Sequence, residues 1–93
     1  MDRQHEQFDL KRLNDLNIVE VARHSNISLH RAGVDYKTNC LWHEDQHPSL
    51  ILYNRAGNQH CHCYTCGAHH SVIDLDMAIG EWSFNEACQW LSN

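Results

Sequence analysis

The sequence predicts an α+β fold: a small antiparallel sheet with short helices before and after it. Three observations carry that reading. Residues 50–53 and 59–63 look like two paired strands flanking a glycine-containing loop. Segments with helical apolar spacing, opened by capping residues, lie at both ends of the chain. Pairs of cysteine and histidine sit on either side of the predicted hairpin at the spacing of metal-binding turns.

Taken in order, residues 9–24 read as helix in two pieces. Leu10, Leu13 and Leu16 share one apolar stripe. Asn17-Ile18-Val19-Glu20 is then a fresh start, with Asn17 as N-cap and Glu20 reaching back to it. Residues 28–40 read as strand, turn at Gly33, and strand. Asn54-Arg55-Ala56-Gly57-Asn58 closes the hairpin, with glycine where a positive φ is cheap. Ser71 and Asp74 open another helix that Gly80 closes, and Ser83 and Glu86 cap the last one. The last helix places Phe84, Ala87, Cys88 and Leu91 on one apolar face, with Trp82 and Trp90 assigned to packing.

The chain has 93 residues, and residues 1–93 read as one domain with its core at about 13–92. A core of that size gives modest stability, so a staple is expected. Five cysteines with no signal-peptide pattern argue against a disulfide framework and for thiols that serve a metal in a reducing compartment. No apolar run approaches the roughly 20 residues of a membrane span. The charge is −5, from 7 basic and 12 acidic side chains, which neither demonstrates nor excludes a nucleic-acid partner.

Cys40-Leu41-Trp42-His43 and Cys63-Tyr64-Thr65-Cys66-Gly67 are two knuckles in a C-x₂-H-x₁₉-C-x₂-C pattern, close to zinc-ribbon spacing. One structural Zn²⁺ on Cys40, His43, Cys63 and Cys66 is the expectation. A closed shell of four protein ligands activates no water. Cys61 shares a strand face with Cys63 but not its turn, and is read as core, as is Cys88. His60 and His62 point away from Cys63, and His69 and His70 fall outside the knuckle spacing. Asp74 and Asp76 stand about 200° apart on a helical wheel and are read as a solvated face, not a Mg²⁺ site. With no nucleotide-binding loop and no carboxylate cluster, the chain is read as non-catalytic alone.

These motifs resemble a known family. Tyr36-Lys37-Thr38-Asn39-Cys40-Leu41-Trp42-His43-Glu44-Asp45-Gln46-His47-Pro48-Ser49 is similar to the first knuckle of the zinc-binding domain of bacterial and phage DnaG-type primases. His62-Cys63-Tyr64-Thr65-Cys66-Gly67-Ala68 resembles its second, and Ser83-Phe84-Asn85-Glu86-Ala87 its closing helix start. Asn17-Ile18-Val19-Glu20-Val21 sits where the family has an early helix. The resemblance implies a zinc ribbon on an antiparallel sheet, with zinc on the four residues named above. It also implies contact with single-stranded template DNA beside a primase catalytic domain or helicase, in a bacterial or phage-encoded cytoplasmic setting. Stacking and phosphate contacts are assigned to Arg31, Tyr36, Lys37, Trp42, Tyr53, Arg55 and Tyr64. Leu41, Gln46, His69 and His70 depart from the family pattern, and fewer basic groups mean weaker phosphate contact. A protein-interaction module on the same scaffold, without direct DNA contact, is the alternative.

Overall fold

The computed structural model describes residues 8–44 and 46–92, so Asp45 of the first knuckle motif and the two ends of the expected 1–93 domain lie outside the described residues. Two short helices, α1 (Leu10–Asn14) and α2 (Ile18–His24), precede the strands β1 (His30–Ala32), β2 (Asp35–Thr38), β3 (Leu50–Tyr53), β4 (His60–Cys63) and β5 (His69–Ser71). The helices α3 (Val72–Gly80) and α4 (Phe84–Ser92) follow. The strands form one antiparallel meander in chain order. Among the described residues no helix is long and apolar enough to cross a membrane.

Alternation along the strands divides the sheet into two faces. Leu50, Leu52, Cys61 and Cys63 are fully buried on the inner face, where α2 and α3 pack. Leu13, Ile18, Val72, Leu75, Ala87 and Cys88 complete that core. Ile51, Tyr53, His60 and His62 take the alternate positions and point to the outer face. β5 is absent from the sequence reading, because His-His-Ser carries no apolar alternation. It pairs with β4 through His60↔Ser71, Cys61↔His70 and His62↔His69.

Two helix starts are completed from distant parts of the chain. At α2, Asn17 accepts from the backbone N–H groups of Val19 (3.0 Å) and Glu20 (3.2 Å), as expected of an N-cap. The Glu20 carboxylate turns instead to Arg23, at 2.6 Å. The N–H of Ile18 donates to the buried Gln59 side chain at 2.8 Å, and Gln59 in turn donates to Asn54 and to the Arg55 carbonyl. At α3, Ser71 makes no side-chain cap, and the Ile73 N–H donates to Asn14 of α1 at 3.0 Å. The α4 start forms the expected reciprocal pair, Glu86 N–H to Ser83 and Ser83 N–H to Glu86.

Three local expectations change. Leu10 is exposed while Leu13 is buried, because α1 ends at Asn14 before a full stripe develops. Glu81, not Gly80, takes the left-handed cap of α3 with φ 53°. Gly80 is small because the Trp82 ring lies over it and leaves no room for a Cβ. Trp90 touches Trp82 at 6.1 Å between ring centroids but stays partly exposed.

The largest departure is Asp76. Asp74 is exposed as expected, but Asp76 is 1% exposed and neither carboxylate oxygen makes a hydrogen bond of good geometry. The nearby Trp82 indole N–H donates to the Asp76 backbone carbonyl at 2.8 Å and only partly offsets the burial. The wheel separation that keeps the two apart turns Asp76 toward the packed side, where its charge is felt by Cys88 of α4. Burial pushes its pKa up to about 6. Folded Asp76 therefore holds its proton more tightly than unfolded Asp76, whose value is about 3.9. Between those values stability falls as pH rises, and above about 6 the full cost of the buried charge is present. Asp76→Asn is expected to be more stable than the parent by about 1–3 kcal/mol at pH 7.5. The gap should shrink as denaturation is repeated toward pH 5; a gap that widens toward acid would contradict this account. Gln59→Ala should cost about 1–3 kcal/mol in the same measurement, since it orphans the buried Ile18 N–H.

Candidate metal centre

The metal-ligand candidates stand at one end of the sheet because the strands end there. β2 stops at Thr38, two residues before Cys40, and β4 ends on Cys63 itself. Cys63 is paired with Leu50, so the second knuckle begins beside the start of β3. The turn after it reverses the chain into β5: Gly67 takes φ 81° and donates its N–H to the Cys63 carbonyl at 2.9 Å. The Cys63 N–H donates to the Ala68 carbonyl at 2.8 Å. Gly67 supplies the left-handed φ such a reversal requires.

One ligand atom from each of Cys40, His43, Cys63 and Cys66 lies within 4.8 Å of the others. Among the described residues this is the only Cys, His, Asp and Glu group so arranged. Cys40 Sγ and Cys66 Sγ are 3.8 Å apart, and Cys63 Sγ lies 3.8 Å from His43 Nδ1. A tetrahedron with sulfurs about 2.3 Å from zinc has edges of about 3.8 Å. The donor set and its spacing thus fit one zinc ion, with three thiolates and an imidazole filling all four positions.

Backbone amides are aimed at the sulfurs, as a thiolate site requires. Trp42 N–H donates to Cys40 Sγ and Cys66 N–H to Cys63 Sγ, each at 3.4 Å, and the Ser49 hydroxyl lies 3.4 Å from Cys63 Sγ. Burial alone raises the Cys63 pKa, but the hydrogen bonds from Ser49 and from the Cys66 and Thr65 amides outweigh it and bring the thiol down to about 6. Burial pushes Cys40 up to about 11. Cys61 is fully buried, its thiol facing the His70 carbonyl at 3.6 Å, and burial pushes it up to about 12. A thiol so disposed is a core side chain, not a metal donor.

The residues assigned to nucleic acid divide between the two faces. Lys37, Tyr53, Arg55 and Tyr64 cluster on or beside the outer face. Arg31 and Tyr36 pair across β1 and β2 on the helix side, where the Tyr36 ring lies beneath both Arg23 (5.5 Å) and Arg31 (5.3 Å). Trp42 stacks on His70 at 4.2 Å beside the first knuckle. Arg55, expected to be free at a hairpin tip, makes a two-pronged ion pair with Asp35 at 2.7 and 3.2 Å. The reason is register: Tyr36 pairs with Leu52, so Asp35 at the start of β2 lies beside the end of β3, which Arg55 follows.

Sequence reasoning missed the outer-face histidines. His60 stacks on Tyr53 at 4.8 Å, His69 follows at 5.2 Å, and His62 meets Tyr64 edge-on at 4.9 Å. The Tyr53 and Tyr64 hydroxyls hydrogen-bond at 2.5 Å. The alternation of His60 and His62 was visible in sequence, but the strand that brings His69 beside them was not.

A Cys₃His group held by two knuckles at the end of a small antiparallel sheet defines a zinc-ribbon domain. The family model for the CHC2 zinc finger, the zinc ribbon of DnaG, matches residues 5–93, and the chain belongs to that family. The DNA primase of Chlamydia trachomatis is 41% identical over 66 residues, covering 71% of this chain and 11% of the relative. That of Chlamydia pneumoniae is 40% identical over 79 residues, 85% of this chain and 13% of the relative. That of Buchnera aphidicola is 32% identical over 85 residues, 91% and 14% respectively. The chain thus spans between 11% and 14% of the length of these relatives. The crystal structure of the zinc-binding and RNA polymerase domains of the Aquifex aeolicus primase superposes with a TM-score of 0.73 at 27% identity, covering 94% of this chain and 21% of that one.

Metal removal is the direct test of this centre. A strong chelator should abolish cooperative thermal unfolding, because zinc binding supplies folding free energy that so small a core does not replace. Cys63→Ser and His43→Ala should behave like the chelated protein, while Cys61→Ser should still carry one zinc by elemental analysis. Loss of zinc in Cys61→Ser, or its retention in Cys63→Ser, would overturn the assignment.

Proposed function

We propose that this chain is a non-catalytic recognition module of DNA priming. In this reading Cys40, His43, Cys63 and Cys66 hold one structural zinc. The zinc fixes the sheet, and the outer face of the sheet contacts single-stranded template beside a primase catalytic unit. The observation that carries the reading is the open outer face, where Tyr53, His60, His62, His69 and Tyr64 form a continuous set of ring contacts. Lys37 stands beside it on β2, in no ion pair among the described residues. Single strands are bound by stacking bases on rings while cations follow the phosphates, and this face offers both. The names of the relatives and of the solved structure support the same assignment. Arg31, Tyr36 and Trp42, turned to the other side of the sheet, have a smaller part in it.

A protein-interaction module is the second reading, favoured by the net charge of −5 and by the capture of Arg55 by Asp35. In either reading a partner is needed, because one free lysine gives weak phosphate affinity and tethering raises the effective concentration at the template.

Titration of the zinc-loaded protein with a short single strand at low salt separates the two. NMR shifts should cluster on residues 51–53, 60–64 and 69, with a dissociation constant of about 10⁻⁴–10⁻⁶ M. Lys37→Ala should reduce the slope of log affinity against log salt by about 1. Asp35→Asn should tighten binding, since it removes a negative charge and releases Arg55 to a phosphate. Shifts that appear only on adding a primase core or helicase, with none from DNA, would give the case to the interaction module.

A further inference from the structure

The outer face carries a second group of metal donors that the zinc ribbon does not use. His60 and His62 alternate along β4 and so project from the same side, and His62 is paired directly with His69 of β5. Directly opposed residues on antiparallel strands have Cβ atoms about 4.5–5.5 Å apart, so the register sets His62 beside His69, with His60 two residues along β4 and diagonal to His69. Their ring centroids are 5.2 Å apart for His60 and His69, and 6.0 Å for His62 and His69. An imidazole nitrogen about 2.0–2.1 Å from an ion puts its ring centre about 3.2 Å away, so two such ligands have centres about 4.5–5.5 Å apart. The observed spacings lie at or just beyond that range.

The protonation pattern of His60 points the same way. Its Nδ1 lies 3.0 Å from the Asn58 carbonyl oxygen. A carbonyl only accepts, so Nδ1 carries the proton and Nε2 keeps its lone pair for a ligand. A histidine oriented through its other ring N–H by a backbone carbonyl is the usual arrangement of a metal-bound imidazole. The side chains of His62 and His69 make no hydrogen bond among the described residues, unlike that of His70, whose Nδ1 faces Asp74 at 3.3 Å. Their rings therefore swing without breaking a contact stronger than ring packing.

We propose that His60, His62 and His69 form a second transition-metal site, one that takes Zn²⁺ or a similar imidazole-preferring divalent ion and exchanges it. The site differs in kind from the knuckle centre. Only the Cys40, His43, Cys63 and Cys66 group has its ligand atoms already within 4.8 Å, so the histidine site closes by side-chain rotation when the ion arrives. Three neutral donors leave a coordination position to water and add no charge to hold the ion, which makes it weaker and reversible. An ion there places positive charge on a face whose nearby cations are Lys37 and the Asp35-bound Arg55. The inference goes beyond the DNA reading and does not depend on it.

The test uses protein already carrying one zinc, dialysed to equilibrium against micromolar Zn²⁺, with bound metal counted by elemental analysis. A second equivalent is expected, and long-range ¹H–¹⁵N spectra should show the ring nitrogens of His60, His62 and His69 shifting together. The double variant His62→Gln, His69→Gln should lose about tenfold or more in affinity for the second equivalent while retaining the first, which also reports that the ribbon is folded. Absence of a second equivalent overturns the proposal, as do its undiminished retention in the double variant and shifts on other histidines. Should the double variant fail to retain the first zinc, the wild-type ring shifts decide.

Discussion

Four side chains from two knuckles converge within 4.8 Å at one end of the sheet, and the rest of the domain is arranged around that convergence. The strands are only three or four residues long, so their pairing alone does not hold them. One knuckle follows β2 and the other ends β4, and β3 lies between those strands. A single ion bridging the knuckles therefore clamps three strands at once. The Cys63 thiol is the best prepared of the donors: it closes β4, and the Ser49 hydroxyl and the Cys66 amide facing it lower its pKa. The sheet and the centre support each other, since the register that buries Leu50 and Leu52 also delivers Cys63 to the site.

The same alternation decides what each face of the sheet is for. One side is consumed by packing against α2 and α3, with Cys61 and Cys63 two residues apart on it: one a core thiol, the other a prepared donor. The other side is free to meet a partner and is unusually rich in imidazole. That composition reconciles an acidic chain with a nucleic-acid reading. The face offers more ring surface than fixed positive charge, and stacking is indifferent to net charge in a way that phosphate contact is not.

Helix stability is likewise shared across the molecule. α1 and α2 are too short to persist alone, and the first amides of α2 and α3 are satisfied by Gln59 and Asn14, which lie 41 and 59 residues away. These bonds lock the helices to the hairpin and to each other. Against that economy stands Asp76, a buried carboxylate with no hydrogen bond of good geometry. Its burial disfavours the charged carboxylate and holds its pKa above the ordinary range.

The sequence by itself determined the fold class, the two knuckles, the hairpin between them and the caps at Asn17 and Ser83. Each is written in local spacing: two residues between paired donors, alternation along a strand, a capping side chain near the amide it serves. Tertiary structure decided what local spacing does not encode. His69 joined His60 and His62 only because β5, without an apolar signature, found its partner in β4. Arg55 pairs with Asp35, 20 residues away, because the β2–β3 register brings the start of β2 beside the hairpin loop. Asp76 went inward because α4 covers a helix face that the wheel alone leaves undefined. Spacing fixes which side chains point together; only the packing of distant segments fixes what they point at.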